Sequence, residues 1–301
     1  MTSAHFHDPL LATREKIAEV IATGRIPVVQ FSTQPSTDTL ERTNELCREF
    51  GPEVQIRFFG FEWKEFDTSI LEHLPTVANL SIDTIRTISD FSPIAQLANL
   101  TRLRFGVFEQ PDGAFLKQLD LARLTHLNLS ENKRRNYDLS PLHAAISLEH
   151  LFIQGNDRAI EAIAELPRLE YVGLSSFPKR HDLRFLNALE PLRSLLLILG
   201  SRQSIAEFTH AGLKKLQIVW VRYLEDTGPL KRFSSLEELV VEDQKRLTHL
   251  DLHGLDLRVL RIADCKNLER IEGLEEQRHL ERYSVRGTKL PTEQPSCRSS
   301  E

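Results

Sequence analysis

An apolar–variable–apolar triplet returns along this chain at an almost constant interval. In order it reads Leu80-Ser-Ile82, Leu103-Arg-Phe105, Leu127-Asn-Leu129, Leu151-Phe-Ile153, Val172-Gly-Leu174, Leu195-Leu-Leu197, Leu216-Gln-Ile218, Leu239-Val-Val241, Leu260-Arg-Ile262 and Tyr283-Ser-Val285. Successive first residues are separated by 23, 24, 24, 21, 23, 21, 23, 21 and 23 positions. An ordinary amphipathic helix or strand has no memory at that distance, so the chain is made of repeated structural units. Each triplet is a strand of period two, its outer side chains turned inward and its middle one outward. A leucine three positions upstream of most triplets points into the same interior. One coil cannot bury its own apolar edge, but coils stacked about 4.8 Å apart pair their strands in parallel and close a core. The fold class expected is α/β: a solenoid with a curved parallel β-sheet on its concave face. Short 3-10 or helical connections are expected on the convex face, because 21 to 24 residues leave little room for full helices.

The first fifty residues differ in kind. Asp8 to Thr23 predicts a helix with Leu10, Leu11, Ile17, Val20 and Ile21 on its apolar face. Ile26 to Phe31 predicts a strand, Thr37 to Phe50 a second helix, and Val54 to Phe59 another strand. Ile56-Arg-Phe58 lies 24 residues before Leu80. Residues 1–50 are therefore expected to form an N-terminal α/β cap, with 51–73 as an irregular first coil. The repeats are expected over 51–288, regular from residue 74. The polar tail 289–301, with Pro291 and Pro295, is expected to be disordered.

The spacing and residue types together resemble the leucine-rich-repeat family. The nearest pattern is the short, roughly 22-residue type of internalin-like and phosphatase-regulator-like repeats, L-x-x-L-x-L-x-x-N. Ile88 to Leu103, Asp138-Leu-Ser-Pro-Leu142 and Leu148 to Asn156 match it well, and the resemblance covers at least residues 74 to 290. The asparagine slot departs from it: only Asn132 and Asn156 fill it as such. Cys265 and Thr288 are accepted substitutes, whereas Ile85, Phe108, Phe177 and Val221 are apolar. A fragmentary internal asparagine ladder is the expected result. The resemblance implies binding on the concave face.

Composition narrows the function further. The formal net charge is −5, which gives no footprint for nucleic acid or for a membrane surface. Cys47, Cys265 and Cys297 are odd in number and scattered, which suits a reducing compartment better than a disulfide framework. The N-terminus lacks the pattern of a secretory signal, and the most apolar run, Leu195 to Leu199, is too short to span a bilayer. A cytoplasmic protein, monomeric when unbound and of bacterial type, is expected.

On the outward strand positions, Phe152, Tyr171, Leu196, Ile198, Val219, Trp220 and Val240 make an apolar and aromatic stretch. Arg104, Glu242 and Arg261 belong to a rim of mixed sign. Solvated strand positions rarely carry so many apolar residues, and such a patch commonly marks an interaction surface. A covering loop or imperfect registry is the alternative. A mixed rim suits a protein partner better than a polyanion.

Chemistry is harder to find. His126 and His150 share a phase in adjacent repeats, but without a third ligand they read as polar surface residues. His5 and His7 fall in a stretch expected to be mobile. Asn79-Leu-Ser81, Asn99-Leu-Thr101 and Asn128-Leu-Ser130 fit the glycosylation sequon as by-products of repeat phase. No phosphate-binding loop, H-E-x-x-H, C-x-x-C or G-x-S-x-G occurs. No catalytic residue, cofactor or metal is expected, and the chain reads as a non-enzyme: an adaptor, inhibitor or regulatory subunit with a protein partner. The alternative is an enzyme whose N-terminal α/β segment carries the activity.

Overall fold

The computed structural model describes residues 2–60, 63, 65–110, 113–130, 132–134 and 136–290. They fall into two compact units, Met1–Ala162 and Ile163–Glu301. In the first unit the elements run β1 (Ser3–Phe6), α1 (Arg14–Ala22), β2 (Ile26–Phe31), α2 (Thr37–Phe50), β3 (Gln55–Phe59) and β4 (Asn79–Ile85). There follow α3 (Ser92–Ala95), β5 (Arg102–Val107), β6 (His126–Leu129) and β7 (His150–Gln154). Each strand pairs in parallel with the next in sequence. The second unit holds β8 (Tyr171–Ser175), β9 (Ser194–Ile198), β10 (Lys215–Val219), β11 (Glu238–Glu242), β12 (His249–Asp251), β13 (Val259–Ala263), β14 (Arg270–Glu272) and β15 (Arg282–Arg286). There β8, β9, β10, β11, β13 and β15 pair in that order, while β12 and β14 form a separate two-stranded ladder.

All ten triplets lie on strands, and their registers superpose them: Leu80 pairs with Leu103, Leu195 with Leu216, Leu239 with Leu260. The outer residues of the triplets are buried from Leu80 to Ile262. In the last coil, Tyr283 and Val285 remain half-exposed. Between strands run 3-10 turns such as Thr68–His73, Ser140–Ala144 and Arg184–Ala188, short enough for the 21- to 24-residue step. Parallel strands stacked one coil at a time, joined by turns of this kind, form the architecture that the repeat spacing predicts.

Aromatic residues fill the wider parts of the first unit. Phe31 stacks on Phe58 and Phe66 tilts against it, with centroids 5.1 and 5.0 Å apart, and Phe91, Phe105, Phe115 and Tyr137 form a second cluster. The α2 helix starts where the Ser36 hydroxyl accepts from Thr39 N, and stops at Gly51, whose φ of 53° suits glycine. Leu40, Thr43, Asn44 and Cys47, spaced for one helical face, are its buried residues. Asn44 Oδ1 accepts from Thr76 N at 3.0 Å and from its hydroxyl at 2.6 Å, tying the helix to the next coil.

Three sequence expectations change. The helix over Asp8 to Thr23 is instead a 3-10 turn, Pro9–Leu11, followed by α1. Asp8 caps the turn and Thr13 caps the helix, so the two segments have different phases. Leu10 and Leu11 consequently point to solvent, and Ile17 is the only residue of α1 that is buried. His5 is not in a loose start: it sits on β1, paired with β2, with Nδ1 2.9 Å from Gln30 Oε1. Nor are all outward strand positions exposed, since Ser81, Asp83, Ser130, Gly173 and Ser175 are buried.

The asparagine slot is continued by a residue not anticipated there. Asn156 Oδ1 accepts from Tyr137 N, and Asn132 Nδ2 donates to Gln110 O at 2.8 Å. Gln244 is fully buried and donates from Nε2 to the carbonyls of Ile218 and Glu242, as an asparagine would. Cys265 follows with a thiol 3.4 Å from Ala263 O. The tail over 291–301, expected to be disordered, lies outside the described residues.

Candidate binding face

Period-two alternation sends every second side chain of β8, β9, β10, β11, β13 and β15 onto the open face of the second unit. Parallel register then sorts these side chains into rows. One row runs Tyr171, Ser194, Lys215, Glu238, Val259, Arg282; the next Gly173, Leu196, Gln217, Val240, Arg261, Ser284; the third Ser175, Ile198, Val219, Glu242, Ala263, Arg286. Leu196, Ile198, Val219 and Val240 are thus near neighbours on three adjacent strands, each half-buried. Lys215 and Glu238 pair at 2.8 Å at one border, and Arg261 pairs with Glu242 at 2.7 Å at another. The Tyr171 hydroxyl is pushed up from its usual pKa by burial.

A second column begins where the strands end. Ser176, Leu199, Trp220, Asp243 and Asp264 all have φ between 48° and 57°. Each donates its N–H one coil onward: Leu199 to Val219 O at 3.1 Å, Trp220 to Glu242 O at 2.9 Å, Asp243 to Ala263 O at 2.9 Å. The left-handed bend turns the chain off the sheet while keeping the ladder satisfied. Serine and aspartate tolerate it, but leucine and tryptophan do so at a cost of about 1–2 kcal/mol each. These two are nevertheless exposed, Leu199 by 41% and Trp220 by 45%. Tyr223, also at positive φ, is 48% exposed with the Arg246 guanidinium 4.5 Å from its ring centre. Leu199 and Tyr223 were missed in the sequence. Leu199 sits two positions beyond the triplet, where the repeat pattern is silent about direction.

In the first unit the open face is polar. Asp83, 1% exposed, receives Arg57 through Nε at 2.8 Å and Nη2 at 2.5 Å, and Ser81 Oγ at 2.6 Å. Burial pushes its carboxyl pKa up, but the Arg57 and Ser81 hydrogen bonds and the Arg104 and Arg57 charges outweigh this and hold it low. Arg104, expected on a rim, lies 3.7 Å from this carboxylate. His126 and His150 stack with ring centres 4.3 Å apart. Phe152 is half-buried on β7. The structure thus brings together Leu196, Ile198, Val219 and Val240, with Glu242 and Arg261 beside them and Trp220 just past the end of β10. Phe152 and Arg104 belong to the other unit.

Neither buried thiol is suited to chemistry. Burial drives the Cys47 pKa up to about 12 and raises that of Cys265. Among the described residues no helix is long and apolar enough to cross a membrane.

No protein-family model matches the chain, and no curated protein matches it in sequence. Solved structures do resemble it. An internalin (inlF) from Listeria monocytogenes is 17% identical over 81% of this chain and 85% of its own, with a TM-score of 0.43. The functional domain of InlJ from the same organism is 15% identical over 79% of this chain and 62% of its own, with a TM-score of 0.47. A Leptospira interrogans protein described as an LRR protein is 15% identical, covers 96% of this chain and 95% of its own, and scores 0.36.

Proposed function

We propose that this leucine-rich-repeat solenoid is a protein-binding module, an adaptor, inhibitor or regulatory subunit that seats a protein partner on the open face of its C-terminal unit. The contact centres on Leu196, Ile198, Leu199, Val219, Trp220 and Val240. One observation carries the reading: two large apolar side chains, Leu199 and Trp220, are held exposed in a backbone conformation unfavourable to both. Strain of that kind persists where a function needs the side chain presented. Half-buried aliphatic neighbours supply desolvated area around the tryptophan, and the Lys215–Glu238 and Arg261–Glu242 pairs supply a polar rim of both signs. A rim already neutralised in pairs favours a protein over a polyanion. Tyr171 is a flanking contact in this reading, residues 1–50 close the first coil as a cap, and the cytoplasm is the proposed compartment.

The test is affinity capture from the native cells with the tagged protein and a Leu199→Asp, Trp220→Asp variant whose circular dichroism matches the parent. A partner held by the parent and lost by the variant supports the assignment. Equal capture by both proteins would falsify it.

A further inference from the structure

The protein-binding reading leaves one cluster unused, on the small ladder of β12 and β14. The segment His249-Leu-Asp-Leu-His253 alternates strictly: Leu250 and Leu252 are fully buried, so His249, Asp251 and His253 share the outward side. Register places Glu272 of the next coil beside Asp251. Donor atoms of Asp251, His253 and Glu272 all lie within 4.8 Å of one another. His249 Nε2 is 3.0 Å from Glu272 Oε2. We propose that His249, Asp251, His253 and Glu272 form a Zn²⁺ site that braces these two coils.

The His249–Glu272 contact is the second observation pointing to a cation. Its nitrogen has no solvent exposure and makes no hydrogen bond, although the carboxylate oxygen is within reach. A plain ion pair aims the N–H at the oxygen. Two atoms that share a cation instead sit side by side, their lone pairs turned toward a common point. Four ligands at about 2.0–2.2 Å in a tetrahedron place neighbouring donors about 3.3 Å apart, close to this separation.

The surroundings orient the donors. His253 Nδ1 lies 2.7 Å from Asp251 Oδ1, which also accepts the His253 backbone N–H at 3.0 Å. Arg270 Nε holds the other oxygen of Glu272, Oε1, at 3.1 Å and leaves Oε2 toward His249. Arg270, an outer partner to a ligand, fixes its direction in this way. The backbones meet closely here as well: a Cβ on Gly273 would come within 2.7 Å of His253 N, so only glycine lets the two coils approach this far. Two imidazoles with two carboxylates suit zinc, whereas magnesium and calcium prefer oxygen throughout.

The experiment uses the untagged full-length chain, freed of metal by chelation and then titrated with Zn²⁺ calorimetrically and with Co²⁺ by its visible absorption. The expected result is one ion per chain, a Zn²⁺-dependent rise in melting temperature, and four-coordinate Co²⁺ absorption. Affinity should fall about tenfold or more in Glu272→Gln, and further in His249→Ala with Glu272→Gln. His279→Ala, which alters an exposed histidine paired with Asp256, and His126→Gln should bind as the parent does. Glu272→Gln keeps the side-chain shape, so it reports on the ion even if removing His249 unfolds the coil. Absence of Zn²⁺ binding to the parent overturns the proposal, as does equal binding by parent and Glu272→Gln, or binding lost in the His126 variant instead.

Discussion

At the scale of single residues, the positive-φ column after the strands sets stability against presentation. Trp220 at φ 48° holds a ring in solvent that the fold does not need. Removing the ring with alanine leaves a Cβ in the left-handed region, whereas glycine removes the strain as well. We therefore expect Trp220→Gly to be more stable than Trp220→Ala by about 1 kcal/mol in urea unfolding, with both losing the partner. An alanine variant as stable as the glycine one would remove the argument from strain. How much of this was legible can be argued residue by residue. Leu196, Ile198, Val219 and Val240 could be placed because strand alternation fixes their side. Leu199 could not, because a left-handed bend has no signature when leucine occupies it. Strand alternation turns Asp83 outward, one residue past its triplet, but does not reveal its burial, which depends on Arg57 lying across it from the neighbouring strand.

Among elements, register does what single strands cannot. The β6–β7 pairing sets His126 beside His150, and Arg102 precedes His126 in the same row. Burial first, then the His150 and Arg102 charges, push the His126 pKa from 6.5 down to about 4. Between those values the unfolded chain takes up a proton that the folded one refuses. Stability contributed here is complete above about pH 6.5 and lost as pH falls toward 4. Because the ring is partly solvated, screening reduces the loss to roughly 1 kcal/mol rather than the full linkage value. His126→Gln should flatten the stability curve in that window, as measured by urea unfolding at pH 7 and pH 4.5; an unchanged slope would assign the dependence to other groups. The strands themselves were readable from period and spacing. Strand β1 was not, because Ser3-Ala-His-Phe6 is short, with only two apolar residues, and gains its partner only when β2 lies alongside. The helix expected from Asp8 failed for a local reason, the second cap at Thr13, which restarts the helix in a different phase.

Across the whole molecule, each coil draws its stability from its immediate neighbours, so the outermost coils are the least secured. Among the described residues β15 is the last strand of its sheet, and Tyr283 and Val285 on it are only half-covered. The last strand of a parallel sheet is a template on which another chain can grow. What stands against this is the pair of arginines at the two ends of the strand, Arg282 and Arg286, both exposed. Charges of that kind discourage edge-to-edge addition. Replacing both with valine should turn a monodisperse solution into one whose sedimentation coefficient climbs with concentration, and a variant that stays monodisperse would show that the edge is guarded by something else. The repeat that lets the fold lengthen coil by coil thus also offers its last strand to a second chain, with Arg282 and Arg286 set against that addition.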